Sequence, residues 1–190
     1  MTEAETPLDE EKMKPSIYLI CPVRNVPKEI EKLIEEYVDK KEKEGYRVDL
    51  TGGIRIFEDN RQAMESADEV HFWYDPASEG SRFDLGMAFA LGKKVVLANK
   101  DAHILPDECF GFDVNKEIHF FFNASQTLEI YKKEGEIQFR FDPNSKHSIF
   151  NFGVAFALRK PIRFLNLEKI LPTEKESFNN VIRALACKTL

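Results

Sequence analysis

An α/β fold, with a mostly parallel sheet and helices on both faces, is predicted for this chain by three observations. Short apolar runs rich in β-branched and aromatic residues alternate with segments of helical periodicity. That alternation implies right-handed strand–helix–strand crossovers and strands buried on both sides. The carboxyl ends of the runs carry small polar segments: Pro22-Val23-Arg24-Asn25, Thr51-Gly52-Gly53, Asp75 to Asp84, and Asn99. Ligands bind at such ends in parallel sheets. Finally, one stretch occurs twice. Residues 72–99, FWYDPASEGSRFDLGMAFALGKKVVLAN, recur 67 positions later as FRFDPNSKHSIFNFGVAFALRKPIRFLN, residues 139–166, with 13 of 28 positions identical and no gap.

The elements follow in order. SIYLICP at Ser16–Pro22 is apolar and β-rich, a strong first strand. Pro27–Glu44 has helical periodicity through Ile30, Leu33, Ile34, Tyr37 and Val38, and Gly45 stops it. Tyr46–Leu50 is the second strand. Asp59–Ala67 is a short helix with Asp59 or Asn60 available as its cap. Glu69–Tyr74 is the third strand, Ser81–Leu91 the next helix and Lys94–Asn99 the fourth strand. Then come a strand at Ile118–Phe122, a helix at Ser125–Lys133, a strand at Ile137–Phe141, a helix at Ser148–Arg159, a strand at Ile162–Leu165 and a helix near Glu174–Lys188. Residues 1–14 read as a flexible acidic tail. Residues 15–190 read as a single α/β domain of Rossmann-like or flavodoxin-like type, holding the internal repeat (72–99 and 139–166).

Composition narrows the function classes. The chain has 190 residues, 43% hydrophobic, with 16 Phe, enough for a sizeable packed core. A formal net charge of −6 argues against a nucleic-acid polymer as partner, because such proteins carry basic patches. Lys40, Lys41 and Lys43 alternate with Glu42 and Glu44, as on a solvated helix end. No apolar run approaches the roughly 18 residues needed to cross a membrane. The three cysteines, Cys21, Cys109 and Cys187, are odd in number and far apart. No Cys/His pattern suggests a metal site, so a cytoplasmic protein with reduced thiols is expected, with no metal and no cofactor.

The repeat separates chemistry from scaffold. Its identities are packing and turn residues: Asp75/Asp142, Pro76/Pro143, Phe83/Phe150, Gly86/Gly153, and Ala-Phe-Ala-Leu at 88–91 and 155–158. Its differences fall in the loop, where Gly80 becomes His147, Arg82 becomes Ile149 and Asp84 becomes Asn151. Two readings of Asp84 follow. Ser81 could cap the helix, with Asp84 three residues on completing a variant capping box. Alternatively Asp84 is a carboxylate nucleophile in the first helical turn, its pKa lowered by the helix N-terminus so that it is ionised at neutral pH. Gly80 would then let a ligand approach the backbone, and the amides after it, from Ser81 on, would form an anion site. Gly86 fits a close helix–strand contact. Arg24 is either a surface residue or a clamp for phosphate or carboxylate. Asp75, repeated as Asp142, suits a turn or an acid/base role. His71 suits the core or an interface, and Trp73 and Tyr74 suit packing.

These motifs together resemble the nucleoside 2-deoxyribosyltransferase family and its relatives, the 2′-deoxynucleoside 5′-monophosphate N-glycosidases. The strand Ile17-Tyr18-Leu19 looks like the family's opening strand, and NRQAMESADEV, starting at Asn60, looks like its stretch before the third strand. Ser78-Glu79-Gly80-Ser81-Arg82-Phe83-Asp84-Leu85-Gly86-Met87-Ala88 looks like its signature, with Asp84 at the nucleophile, one methylene shorter than the family's Glu. The resemblance covers about residues 16–100 and leaves the second copy without a counterpart. Ser78 and Arg24 look like the phosphate-binding residues of the monophosphate branch.

The resemblance implies attack of Asp84 on the anomeric carbon of a 2-deoxyribosyl group, with Asp75 as a second catalytic carboxylate. Tyr18, Arg24, Asn60, Ser78, Gly80 and Ser81 would bind the substrate. It further implies a small-molecule nucleoside or nucleotide as partner, no metal or cofactor, and a homodimer with the site at its interface. Two other classes stand beside it: a catalytically silent nucleotide sensor, for which Asn151, the short acid and the duplication speak, and a structural protein in which the capping reading holds throughout.

Overall fold

The computed structural model describes residues 14–51, 57–75, 77–99 and 124–170. β1 (Ser16–Ile20) leads into α1 (Lys28–Lys43), β2 (Arg47–Leu50), α2 (Phe57–Ser66), β3 (Glu69–Phe72), α3 (Glu79–Ala90) and β4 (Val95–Leu97). α4 (Ala124–Lys133), β5 (Ile137–Phe139), α5 (Lys146–Ala157), β6 (Ile162–Phe164) and a 3-10 turn at Leu167–Lys169 follow. The expected strand at Ile118–Phe122, the helix near Glu174–Lys188, Cys109, Cys187 and residues 1–13 lie outside the described residues.

The α/β class is as predicted. β1 to β4 form a parallel sheet in the order β2-β1-β3-β4. β1 lies inside it and every one of its residues is buried. Its alternating side chains serve two layers. Leu19, with Cys21 beyond the strand, packs with Ile34 and Trp73 against α1, whose Ile30, Leu33, Tyr37 and Val38 form the predicted apolar stripe. Tyr18 and Ile20 face the opposite core, shared with α2, α3 and the second half of the chain. α1 ends where Gly45 takes φ +96, a conformation that suits a residue without Cβ.

The repeat is larger than its sequence identity suggests. α2, α3 and β4 recur as α4, α5 and β6 with bounds shifted by the same 67 positions. Local devices recur with them. The Asn99 side chain brackets Tyr74, accepting from its N–H at 3.0 Å and donating to its carbonyl at 3.0 Å. Asn166 brackets Phe141 the same way at 3.0 and 2.7 Å. The Lys93 ammonium satisfies the carbonyls of Glu65 and Ala67 at the end of α2, and Lys160 those of Tyr131, Lys132 and Glu134 at the end of α4.

Among the described residues the strands divide into two sheets, since β5 and β6 pair only with each other. The reason is a helix pair standing between them. α3 and α5 meet at Gly86 and Gly153, so closely that a Cβ on Gly86 would lie 2.1 Å from the Phe150 carbonyl oxygen. A Cβ on Gly153 would lie 2.0 Å from that of Phe83. Gly86 therefore serves a helix–helix contact, not the expected helix–strand one. Phenylalanines seal the layer: Phe83 to Phe152 at 5.2 Å, and Phe152 to Phe139 and Phe164 at 5.6 and 5.5 Å.

Three helix starts lie two residues before the expected ones. α3 begins at Glu79, because Ser78 is extended (φ −79, ψ 106) and its side chain accepts the Ser81 N–H. Ser145 does the same for Ser148 in α5. Ser81 is thus inside the helix and Asp84 lies in its second turn. α2 begins at Phe57, so Asp59 and Asn60 are helical residues and not caps.

Candidate active site

Parallel pairing brings the carboxyl ends of β1, β2 and β3 to one edge of the sheet, and α3 descends over them. Thr51, the residue after β2, donates its N–H to the Leu19 carbonyl at 3.2 Å and so extends the ladder. Its hydroxyl lies 3.3 Å from that carbonyl and 3.3 Å from Oδ2 of Asp84. One hydroxyl proton thus faces two acceptors. Thr51 can donate to an ionised Asp84, or donate to Leu19 and accept from a protonated one.

The electrostatics favour sharing between those states. Asp84 is 1% exposed. Burial pushes its carboxyl up to about 7, with the Thr51 hydrogen bond opposing the shift. The expectation of a carboxylate lowered by the helix N-terminus is corrected: Asp84 is a turn too deep, and loss of water outweighs the helix dipole. Burial, with Asp84 beside it, holds the Tyr18 phenol firmly protonated. Burial and the same carboxylate raise the Cys21 thiol to about 12, so it is an inert thiol and not a nucleophile. Among the described residues the buried Tyr18 Oη meets no hydrogen-bond partner.

Of the residues singled out from sequence, Tyr18 and Asp84 thus come together. Ser78 caps α3, and Gly80 and Ser81 lie in its first turn, the turn before Asp84. The Ser78 and Ser81 hydroxyls lie 2.8 Å apart, and Ser81 is buried. Open space surrounds the Cβ position of Gly80, so packing does not demand glycine there. Arg24 is half-buried on the turn after β1, next to Asn25, which adopts φ +51. Asn60 is buried within α2. Asp75 serves its own loop: one carboxylate oxygen accepts the Ala77 N–H at 2.8 Å, and Asp142 accepts that of Asn144 at 2.9 Å in the second copy. This Asx turn accounts for the repetition of that acid.

Thr51 and Cys21 escaped the sequence reading as site residues. Thr51 was legible only as the start of a Thr-Gly-Gly strand end, and its adjacency to β1 supplies the missing signal. His71 lies on the α1 side of the sheet, its Nδ1 2.5 Å from the Tyr37 hydroxyl and its Nε2 2.9 Å from Glu69. Among the described residues no group of three or more His, Cys, Asp or Glu could hold a metal ion, and no helix is long and apolar enough to cross a membrane.

Removing the Thr51 hydroxyl isolates its effect on the acid. Thr51→Val keeps the shape but takes a hydrogen bond from the charged form of Asp84, a loss of about 1.5–3 kcal/mol. The Asp84 pKa should rise by about one to two units, read by carbon-detected NMR titration. An unchanged titration would show that Thr51 does not tune the acid.

The site lies wholly within the span matched by a known family. The family model for nucleoside 2-deoxyribosyltransferase matches residues 10–128, more than half of the chain's 190. No curated protein and no solved structure matches the chain. Sequence match, parallel sheet and buried acid at the strand ends agree, and the chain belongs to the nucleoside 2-deoxyribosyltransferase family.

Proposed function

We propose that the protein cleaves or transfers the N-glycosidic bond of a 2′-deoxynucleoside, with the 5′-monophosphate preferred and Asp84 as nucleophile. One observation supports the reading: within the span the family matches, Asp84 is a desolvated carboxylate, raised to about 7, in the turn after the first turn of α3. The ionised Asp84 attacks C1′ through an oxocarbenium-like transition state. The C1′–N bond breaks, its electron pair leaves with the base, and the base takes up a proton. The resulting glycosyl ester is opened by water or by a second base, which restores the carboxylate. Thr51 follows the charge, donating to Asp84 whenever it is ionised. The Tyr18 phenol remains a hydrogen-bond donor throughout. Ligand enters beside Gly80, where the backbone is uncovered, with its phosphate toward Ser78 and Arg24.

Arg24→Ala should weaken a deoxynucleotide by about 1.5–3 kcal/mol, the scale of a charge-assisted hydrogen bond. The matching nucleoside should change much less. Equal losses measured by calorimetry would remove Arg24 from phosphate recognition.

A second reading, ligand binding without chemistry, is favoured by the burial of the acid, Asp84 being 1% exposed. The deciding experiment incubates the protein with a panel of deoxynucleosides and their 5′-monophosphates and follows free base by chromatography, beside thermal-shift measurements. Base release supports catalysis. A shift without release supports the silent module, and neither supports a structural role.

A further inference from the structure

The contact between α3 and α5 has the form of a two-fold symmetric interface. A Cβ on Gly86 would meet the Phe150 oxygen, the Phe150 carbonyl carbon and the Val154 nitrogen at 2.1, 3.0 and 3.1 Å. A Cβ on Gly153 would meet the same atoms of Phe83 and Met87 at 2.0, 2.9 and 3.1 Å. Each partner is the other's equivalent at the offset of 67. When residue i touches j and the equivalent of j touches the equivalent of i, the interface is isologous, as in a homodimer. Here both sides belong to one chain.

The helix that carries the acid needs that cover. Residues Phe83 to Ala88 are buried in an unbroken run, so α3 is enclosed on every side. A helix closed all round must have packing partners on opposite faces. The first sheet supplies one and α5 the other.

Two features favour the second unit over another copy of α3. Phe152 packs on Phe83 with tilted rings at 5.2 Å, where a copy of α3 would offer Leu85. Phe156 meets Phe57 and Phe83 at 6.0 and 5.5 Å, a contact that Phe89 of a copy of α3 would offer equally. Arg159 crosses to Glu58 at 2.9 Å, where a copy of α3 would offer Gly92. The second unit has also shed the chemistry. Asn151 stands in the place of Asp84, and its buried Oδ1 has no hydrogen-bond partner among the described residues.

We propose that the second unit is a built-in partner subunit. It occupies the α3 face that a second copy of the chain would otherwise cover, encloses the acid-bearing helix, and makes the protein a monomer in place of a homodimer. The α3 face is thereby closed to further copies. The inference concerns the interface and does not require turnover.

The test uses the full chain. Sedimentation equilibrium should give a mass of 22.0 kDa. In parallel, Phe156 is replaced by the photoreactive p-benzoylphenylalanine in an equal mixture of unlabelled and 15N-labelled chains. Irradiation should join position 156 to the peptides holding Phe57 or Phe83, each product carrying one isotope only. A dimeric mass, crosslinked peptides of mixed isotope, or no crosslink to those peptides would each overturn the proposal. None of these readouts depends on base release, so a protein inactive on every nucleotide would still confirm or refute the interface.

Discussion

Asp84→Asn should abolish the release of free base while leaving ligand binding in place. An amide cannot form the glycosyl ester, yet it fills the same space and can still meet Thr51. The helix cap is untouched because it belongs to Ser78. The same substitution should alter stability in a pH-dependent way, and the sign follows from the buried acid. The Asp84 carboxyl titrates near 7 in the folded protein against 3.8 as its ordinary value. Between those values the folded state holds a proton that the unfolded chain has released. Wild-type stability therefore falls as pH rises from about 4 to about 7, and above 7 the loss is complete. Asparagine has nothing to ionise. The variant should match the wild type near pH 4 and exceed it at pH 8 by a few kcal/mol, in urea denaturation across that range. Full activity in the variant would end the nucleophile reading. A stability difference that ignores pH would show that the carboxyl is not desolvated. Activity of the wild type should rise with an apparent pKa of about 7 as the nucleophile ionises. Asp84→Glu then asks whether the family's longer acid reacts faster or overfills the site.

Gly86→Ala and Gly153→Ala should be among the most destabilising single substitutions in the chain. Each adds one methyl group where the nearest atom is a backbone carbonyl oxygen at 2.1 or 2.0 Å. Backbone cannot rotate away as a side chain can, so the helices must separate and the phenylalanine layer must open. Overpacking of this kind costs about 3 kcal/mol. The near-identity of the two sets of distances predicts nearly equal losses. The double variant should lose less than the two combined, because the first methyl already separates the pair. Gly80→Ala is the control: with open space around its Cβ it should be neutral or slightly stabilising. Wild-type denaturation midpoints for the Gly86 or Gly153 variants would mean that the close helix contact is absent in solution.

Parts of this picture were legible from residues alone, and the reasons differ by element. SIYLI reads as a strand because β1 is buried on both faces, which leaves no polar residue to blur the pattern. The α1 stripe was legible because one side of that helix faces solvent. The start of α3 was not, since Ser78 and Ser81 are both good caps and the choice depends on the backbone angle that the preceding turn imposes on Ser78. The start of α2 was not legible either, because Asp59 and Asn60 are good caps by residue type yet lie inside the helix. The location of the acid was legible through the repeat. Its protonation was not, because desolvation comes from β1, β2 and the packing around α3, which no local spacing records. Thr51 reaches Asp84 only through the lateral order of strands.

The helix pair joined at Gly86 and Gly153 bears on how this protein can change over generations. In a homodimer every substitution appears on both sides of the axis, so a harmful methyl group is met twice and a useful asymmetry cannot arise. A shared chain lifts that constraint. Each side of the contact mutates alone, as Phe152 in the place of Leu85 and Arg159 in the place of Gly92 already record. The tether also makes the association intramolecular, so dilution does not weaken it. Scarcity in the cell would disperse the subunits of an ordinary dimer; here the enclosure of Asp84 is indifferent to how many molecules are present.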